Sequence, residues 1–294
     1  MTDFSAAPAS AIGVRFTERI SEGLGEEVPL GLISMGFRGQ DLAMFVPPAL
    51  AETTTAVGEK SVIYEKAIQN MEKLAVRGLI WYQGEANVGK HDTYPERFRT
   101  LVNIWRENQG CESPVYLAEL APWLYGGDGT SGARFRAMQH NLAKQIPSCG
   151  VICTNDLVYP DEDTQIHPRN KKDVGERLAY LALNQTYKQE GVECRYAEYK
   201  SFKVEGDTVE VFFDNAEDGL SPWKGLEGFE VAGEDKVFHK AEATVHTGHK
   251  SVLVRSDKVA SPVAVRYCFR DFQLGNLVSG RDLPVLPFRT DNWD

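Results

Sequence analysis

Gly78-Leu79-Ile80-Trp81-Tyr82-Gln83-Gly84-Glu85-Ala86-Asn87 is the stretch that decides the fold. Its first half is apolar without alternation, the pattern of a strand covered on both faces, as in a parallel sheet. Its second half turns abruptly small and polar. Open α/β sheets bind ligands outside the carboxyl ends of their strands. A strand that runs into Gln-Gly-Glu is therefore a structural element and a candidate site at once.

The same alternation extends to both sides. Upstream, Ile12, Phe16, Ile20 and Leu24 recur every four residues as one helix face, Val28-Pro29-Leu30-Gly31-Leu32-Ile33 predicts a short buried strand, and Val62, Ile63, Ile68, Met71 and Leu74 a second helix. Downstream, Phe98, Leu101, Val102 and Trp105 mark a helix with Tyr94-Pro95 at its start. Strands at Val115–Ala118 and Val151–Thr154 then alternate with helices marked by Phe135, Met138, Leu142 and Ile146, and by Val174, Leu178 and Leu181. Strand-helix alternation of this kind predicts an α/β domain over residues 1–191, a parallel sheet with helices on both faces. Past residue 192 the pattern changes to short strands: Lys203–Val211 around a tight turn, Phe229–Val231, Ser251–Val254 and Val263–Tyr267. Residues 192–294 are predicted to form a small antiparallel β domain or extension.

Bulk properties narrow the function classes. The chain of 294 residues is 42% hydrophobic and carries a formal charge of −10, which speaks for a folded, acidic protein and against a nucleic-acid partner. No run approaches the ~20 apolar residues that span a bilayer, and no membrane association is expected. Residues 1–8 lack the basic start and apolar stretch of a signal peptide. The five cysteines are scattered, and Cys149 and Cys153 have no second pair or nearby histidine, so neither a metal site nor another cofactor is predicted.

Three strand ends carry candidate chemistry. The Gln83 amide is a potential oxyanion donor, and Gly84 lets a substrate approach the backbone; polar residues that merely satisfy a strand-to-loop turn are an equal reading. Asn155-Asp156-Leu157 and Asp161-Glu162-Asp163-Thr164-Gln165-Ile166-His167-Pro168 place a histidine among carboxylates, the requirement for a general base. His91 and His140 lie near or on helices, where solvated faces explain them, and His239, His246 and His249 belong to the β half. The third end, Gly31-Leu32-Ile33-Ser34-Met35-Gly36-Phe37-Arg38-Gly39, only partly matches the nucleophile elbow G-x-S-x-G around Ser34. Gly39 is a candidate backbone donor there, or a turn glycine.

Taken together, these stretches resemble the sialate O-acetylesterase family, a branch of the SGNH (GDSL-like) hydrolases. Ile80–Asn87 is similar to that family's IWYQGE-(S/A)-N block, and Ile166–Lys171 with Val174–Leu178 to its IHPxxK…VGxRL block. Pro262–Tyr267, Gly275-Asn276-Leu277 and Pro287–Asp291 continue the resemblance, which starts near Phe4-Ser5-Ala6. The segment from Gly31 to Pro47 resembles GLI…WGGT…W, with Arg38 in place of the first glycine and Gln40 in place of threonine. The resemblance implies a three-layer α/β/α sheet and metal-free removal of acetyl esters from O-acetylated sugars, with acetylated xylan as an alternative substrate. It implies His167 as general base, with Gly39, Gln83, Glu85 and Asn87 as oxyanion or substrate-binding residues. It also implies export, periplasmic or secreted. Two departures stand out. The family's GQSNM-like serine block is not found, which implies a nucleophile supplied by further polypeptide, Ser34 as a substitute, or a silent carbohydrate-binding protein. Thr164 stands three residues before His167 where many relatives have aspartate, so Asp156, then Asp163, are the candidate acid partners; the Gln165 carbonyl is a third way to orient the ring.

Overall fold

The structure, a computed structural model, describes residues 10–51, 61–126, 129–248 and 250–293. The Phe4-Ser5-Ala6 stretch and His249 lie outside these residues. The described chain is of α/β class and divides into two compact units.

The first unit comprises Met1–Leu120, Met138–Ile152 and Asn170–Val192. Its sheet holds β1 (Leu79–Trp81), β2 (Val115–Ala118) and β3 (Cys149–Ile152) in the order β1-β2-β3, all parallel. β2 is central and every one of its residues is buried, as an unbroken apolar run requires. The Tyr94–Gln109 helix carries Pro95 in its first turn, where a missing N–H costs nothing. It stops at Gly110, whose left-handed φ of 61° lets its N–H close onto the Arg106 and Glu107 carbonyls. Phe98, Leu101, Val102 and Trp105 form its buried stripe, as their spacing predicts.

Helices Ala11–Leu24 and Lys172–Gln185 pack against each other through small residues. A Cβ on Gly175 would stand 2.6 Å from the Ile12 carbonyl oxygen and 2.8 Å from the Arg15 Cβ. The deepest residues of the first helix are therefore Gly13, Thr17 and Ile20, a face rotated slightly from the Ile12, Phe16, Ile20, Leu24 stripe. Close backbone approach, not side-chain volume, sets that contact.

Two expected elements differ. Val28–Ile33 is not a strand and not buried: it pairs with no described strand, and Val28, Ile33, Met35 and Phe37 are 37%, 50%, 39% and 40% exposed. An apolar run becomes a buried strand only where a neighbour accepts its ladder, and Pro29 removes one donor besides. The helix expected around Val62–Leu74 forms, but as a π turn at Tyr64–Ile68 followed by a 3-10 turn at Gln69–Lys73.

The second unit joins Glu193–Asp294 with Ala121–Ala137 and Cys153–Arg169, segments that follow β2 and β3. Two four-stranded antiparallel sheets make its body. One runs in the order Glu198–Glu205, Thr208–Asp214, Ser251–Arg255, Glu242–His246; the other Phe288–Arg289, Ala264–Tyr267, Phe229–Ala232, His239–Lys240. Gly206-Asp207 forms the expected tight turn, with Gly206 at φ 64°. Val209, Val211, Val252 and Val254 share one core with Phe229, Val231, Val265, Tyr267 and Phe288.

Gly175→Ala should cost about 1–3 kcal/mol by overpacking the helix contact. Urea unfolding followed by circular dichroism should report that loss.

Candidate functional site

In the first unit, the chain leaving β1 enters a dense hydrogen-bond network centred on Gln83. The Gln83 carbonyl accepts from the Tyr94 hydroxyl at 3.3 Å and from Gln139 Nε2 at 3.4 Å. Burial pushes the Tyr94 phenol well above its usual pKa, so it remains a donor. Gln139 Oε1 in turn accepts from the Leu120 N–H at 3.0 Å. The Gln83 amide nitrogen donates to the Gln40 carbonyl at 2.9 Å and to Asn87 Oδ1 at 2.8 Å, while its own Oε1 is buried without a partner. Both amide hydrogens of the expected oxyanion donor are thus directed at protein acceptors.

Asn87 and Asp41 complete the network. Asn87 Oδ1 also accepts from the Leu42 N–H at 3.0 Å, and Nδ2 donates to Asp41 Oδ1 at 2.9 Å. Asp41 further accepts from the Ala43 N–H at 2.9 Å and pairs with Lys90 at 2.6 Å. Burial alone would raise the Asp41 pKa; the Ala43 N–H, Lys90 and Asn87 outweigh it and hold the carboxyl below its ordinary value. Asp41 is a residue that the sequence did not single out. Its signal was present, since Asp41 sits as N-cap two residues before the donor it caps. Gly39 lies in the exposed turn just upstream at φ 65°, a conformation that favours glycine, and its N–H has no partner among the described residues. Glu85 opens the short turn Glu85–Asn87.

In the second unit, His167 is exposed at the end of a loop closed by Glu162. Glu162 is buried; its carboxylate accepts from the Tyr159 N–H at 2.9 Å, the Arg169 N–H at 2.8 Å and Arg169 Nε at 3.0 Å. Burial pushes its pKa up, but the two backbone N–H groups and the Arg169 charge prevail and hold it below the usual carboxylate range. The Gln165 side chain accepts from the His167 N–H at 3.0 Å, which fixes the backbone but not the ring. Of the two expected acid partners, Asp156 is exposed and Asp163 half-buried. The Asp163 main-chain carbonyl accepts from the Leu124 N–H at 2.9 Å. Asp271 ties the neighbouring segment down, its carbonyl accepting from the Trp123 N–H at 3.0 Å and its carboxylate from the Gly132 N–H at 2.6 Å.

Ser34 is exposed and outside any strand. Two further histidines have carboxylate partners. His140, expected on a solvated face, is instead mostly buried, with Nε2 2.8 Å from the buried Glu119. His246 and Ser251 both bond Glu210 Oε1, at 3.0 and 2.5 Å. There the carboxylate stands between serine and histidine, the reverse of the order that lets imidazole take a hydroxyl proton.

The first unit carries polar groups on the loop after a parallel strand, where open α/β sheets bind ligands. Residues 2–184 match the family described as carbohydrate esterase, sialic acid-specific acetylesterase, and the chain belongs to that family. The human sialate O-acetylesterase is 27% identical over 147 residues, 43% of this chain and 27% of that one. The rat enzyme is 27% identical over 136 residues, covering 40% and 25%. The match thus spans only about a quarter of those relatives' own length. A crystal structure of a novel carbohydrate acetylesterase from Xanthomonas citri superposes with a TM-score of 0.85 at 32% identity, covering 98% of this chain and 67% of that one.

Glu162→Gln should destabilise the second unit by about 1–3 kcal/mol, the cost of impairing buried hydrogen bonds to a charged acceptor. Because the folded pKa lies below the unfolded value of 4.5, that contribution is present above pH 4.5 and fades as pH falls through the folded value. Denaturation of wild type and variant at pH 7 and pH 3 should show the gap narrowing in acid.

Proposed function

We propose that this chain functions as a carbohydrate O-acetylesterase of the sialate O-acetylesterase type, hydrolysing acetyl esters on sugars by serine-type acyl transfer. The observation that carries the reading is the match to a carbohydrate acetylesterase over 98% of the chain at 32% identity. His167 is assigned as general base, with Asp156, then Asp163, as the carboxylate that stabilises the imidazolium. Catalytic hydrogen bonds often tighten only when substrate binds, and this pairing is expected to form fully in the substrate complex. The Gly39 N–H, which has no partner among the described residues, is the first oxyanion donor, with Gln83 beside it as an oxyanion or substrate-binding residue. Glu85 orients substrate hydroxyls or its loop.

The attacking serine is assigned to a segment outside the described residues, in this or a further polypeptide, because Ser34 lies in an exposed, irregular stretch and the family's serine block is not found around it. The substrate is an O-acetylated glycan, sialic acid first and xylan second. Export to the periplasm or medium suits such a substrate.

Acetate release from O-acetylated sialic acid and from acetylated xylan tests the assignment. His167→Ala should lower turnover roughly 100- to 10,000-fold, the contribution of a positioned general base, and Ser34→Ala should leave it unchanged. Equal rates for wild type and His167→Ala would remove His167 from the mechanism. Absence of release by every protein would favour a silent carbohydrate-binding role.

A further inference from the structure

Asn87 is wholly buried, so a substrate cannot touch it, yet its side chain meets three polar groups, two of them on the segment that follows Gly39. Its Oδ1 holds the Leu42 N–H and the Gln83 amide; its Nδ2 holds Asp41. Gln83 then fixes the Gln40 carbonyl, and Asp41 fixes the Ala43 N–H. Four consecutive residues, Gln40 to Ala43, are thereby pinned by one side chain and its two partners. Upstream, residues 31–39 are almost all exposed and carry no regular structure before the 38–39 turn. The orientation of the Gly39 N–H is consequently set from its carboxyl side.

We infer that Asn87 is a positioning residue: acting through Gln83 and Asp41, it holds the Gly39 turn in the orientation from which its N–H donates. This rests on the oxyanion-donor reading of Gly39. Lys90 is the solvent-side arm of the device, pairing with Asp41 at 2.6 Å while 38% of its own side chain is exposed. Arg97, almost fully buried, stands 3.9 Å from the same carboxylate.

The chemistry of the pair suggests the test. Asn87→Asp keeps the acceptor for Leu42 and Gln83 but sets a second carboxylate against Asp41, where like charges repel. Adding Asp41→Asn restores one amide and one carboxylate in exchanged places. Amide hydrogen exchange of residues 39–43, read by NMR, needs no activity. Asn87→Asp should speed that exchange about ten-fold, the effect of losing a buried hydrogen bond, and Asn87→Asp with Asp41→Asn should bring it back to near wild type. In acetate release, the single variant should lower kcat about ten-fold with KM within two-fold, and the double variant should recover kcat.

Should Asn87→Asp fail to fold by circular dichroism, Asp41→Asn alone replaces it, with about three-fold faster exchange expected. Exchange within experimental error of wild type in the folded variant, or a double variant no better than Asn87→Asp, overturns the inference. A loss expressed in KM alone overturns it too, since that would make the site a substrate contact. If no protein releases acetate, the esterase reading fails for this polypeptide while hydrogen exchange still judges the turn.

Discussion

The first unit depends on satisfying the polar backbone that β1 delivers at its carboxyl end. A parallel strand leaves its last carbonyls inside the protein, and unpaired buried groups of that kind cost as much as a lost hydrogen bond. Gln83 answers this at both ends. Its carbonyl takes donors from Tyr94 and Gln139, which belong to the Tyr94–Gln109 and Ser131–Gln145 helices. Its side chain reaches the Gln40 carbonyl and Asn87. One residue thus joins a strand, two helices and the turn that carries Gly39. Polar networks of this kind are rigid when complete, and among the described side chains of this one only Gln83 Oε1 is buried without a partner.

The second unit solves a related problem with charge. Its loops lack the ladders of regular structure, so buried ionic groups cap them. Glu162 closes the loop that ends at His167, and Asp271 gathers Trp123 and Gly132. Arg136, also buried, donates to the Arg270 carbonyl at 2.8 Å, and Arg270 pairs with Glu230 at 2.7 Å. His167 is thereby exposed on a loop whose backbone is held in place.

Periodicity made most of the architecture legible. The Val115–Ala118 run and the Phe98, Leu101, Val102, Trp105 stripe were readable because each pattern has one stable burial solution. Val28–Ile33 was not, because strand formation requires a partner and a run of residues does not reveal whether one stands beside it. His140 was misjudged for a similar reason. Its helix position is local information, whereas the Glu119 carboxylate that meets it comes from a different strand end.

By itself, the sequence determined the α/β class, the change to antiparallel strands near residue 192, and the family, through long blocks such as Ile80–Asn87. It also nominated Gln83, Gly39 and His167, since strand-end location follows from local pattern. Only the tertiary structure decided what each nominated group is bonded to. It buried Asn87 against Asp41 and brought forward Asp41 and Glu162. Hydrogen bonds join residues as distant in sequence as Asp41 and Asn87, and which donors and acceptors meet is settled when the chain packs, not by the order in which they occur.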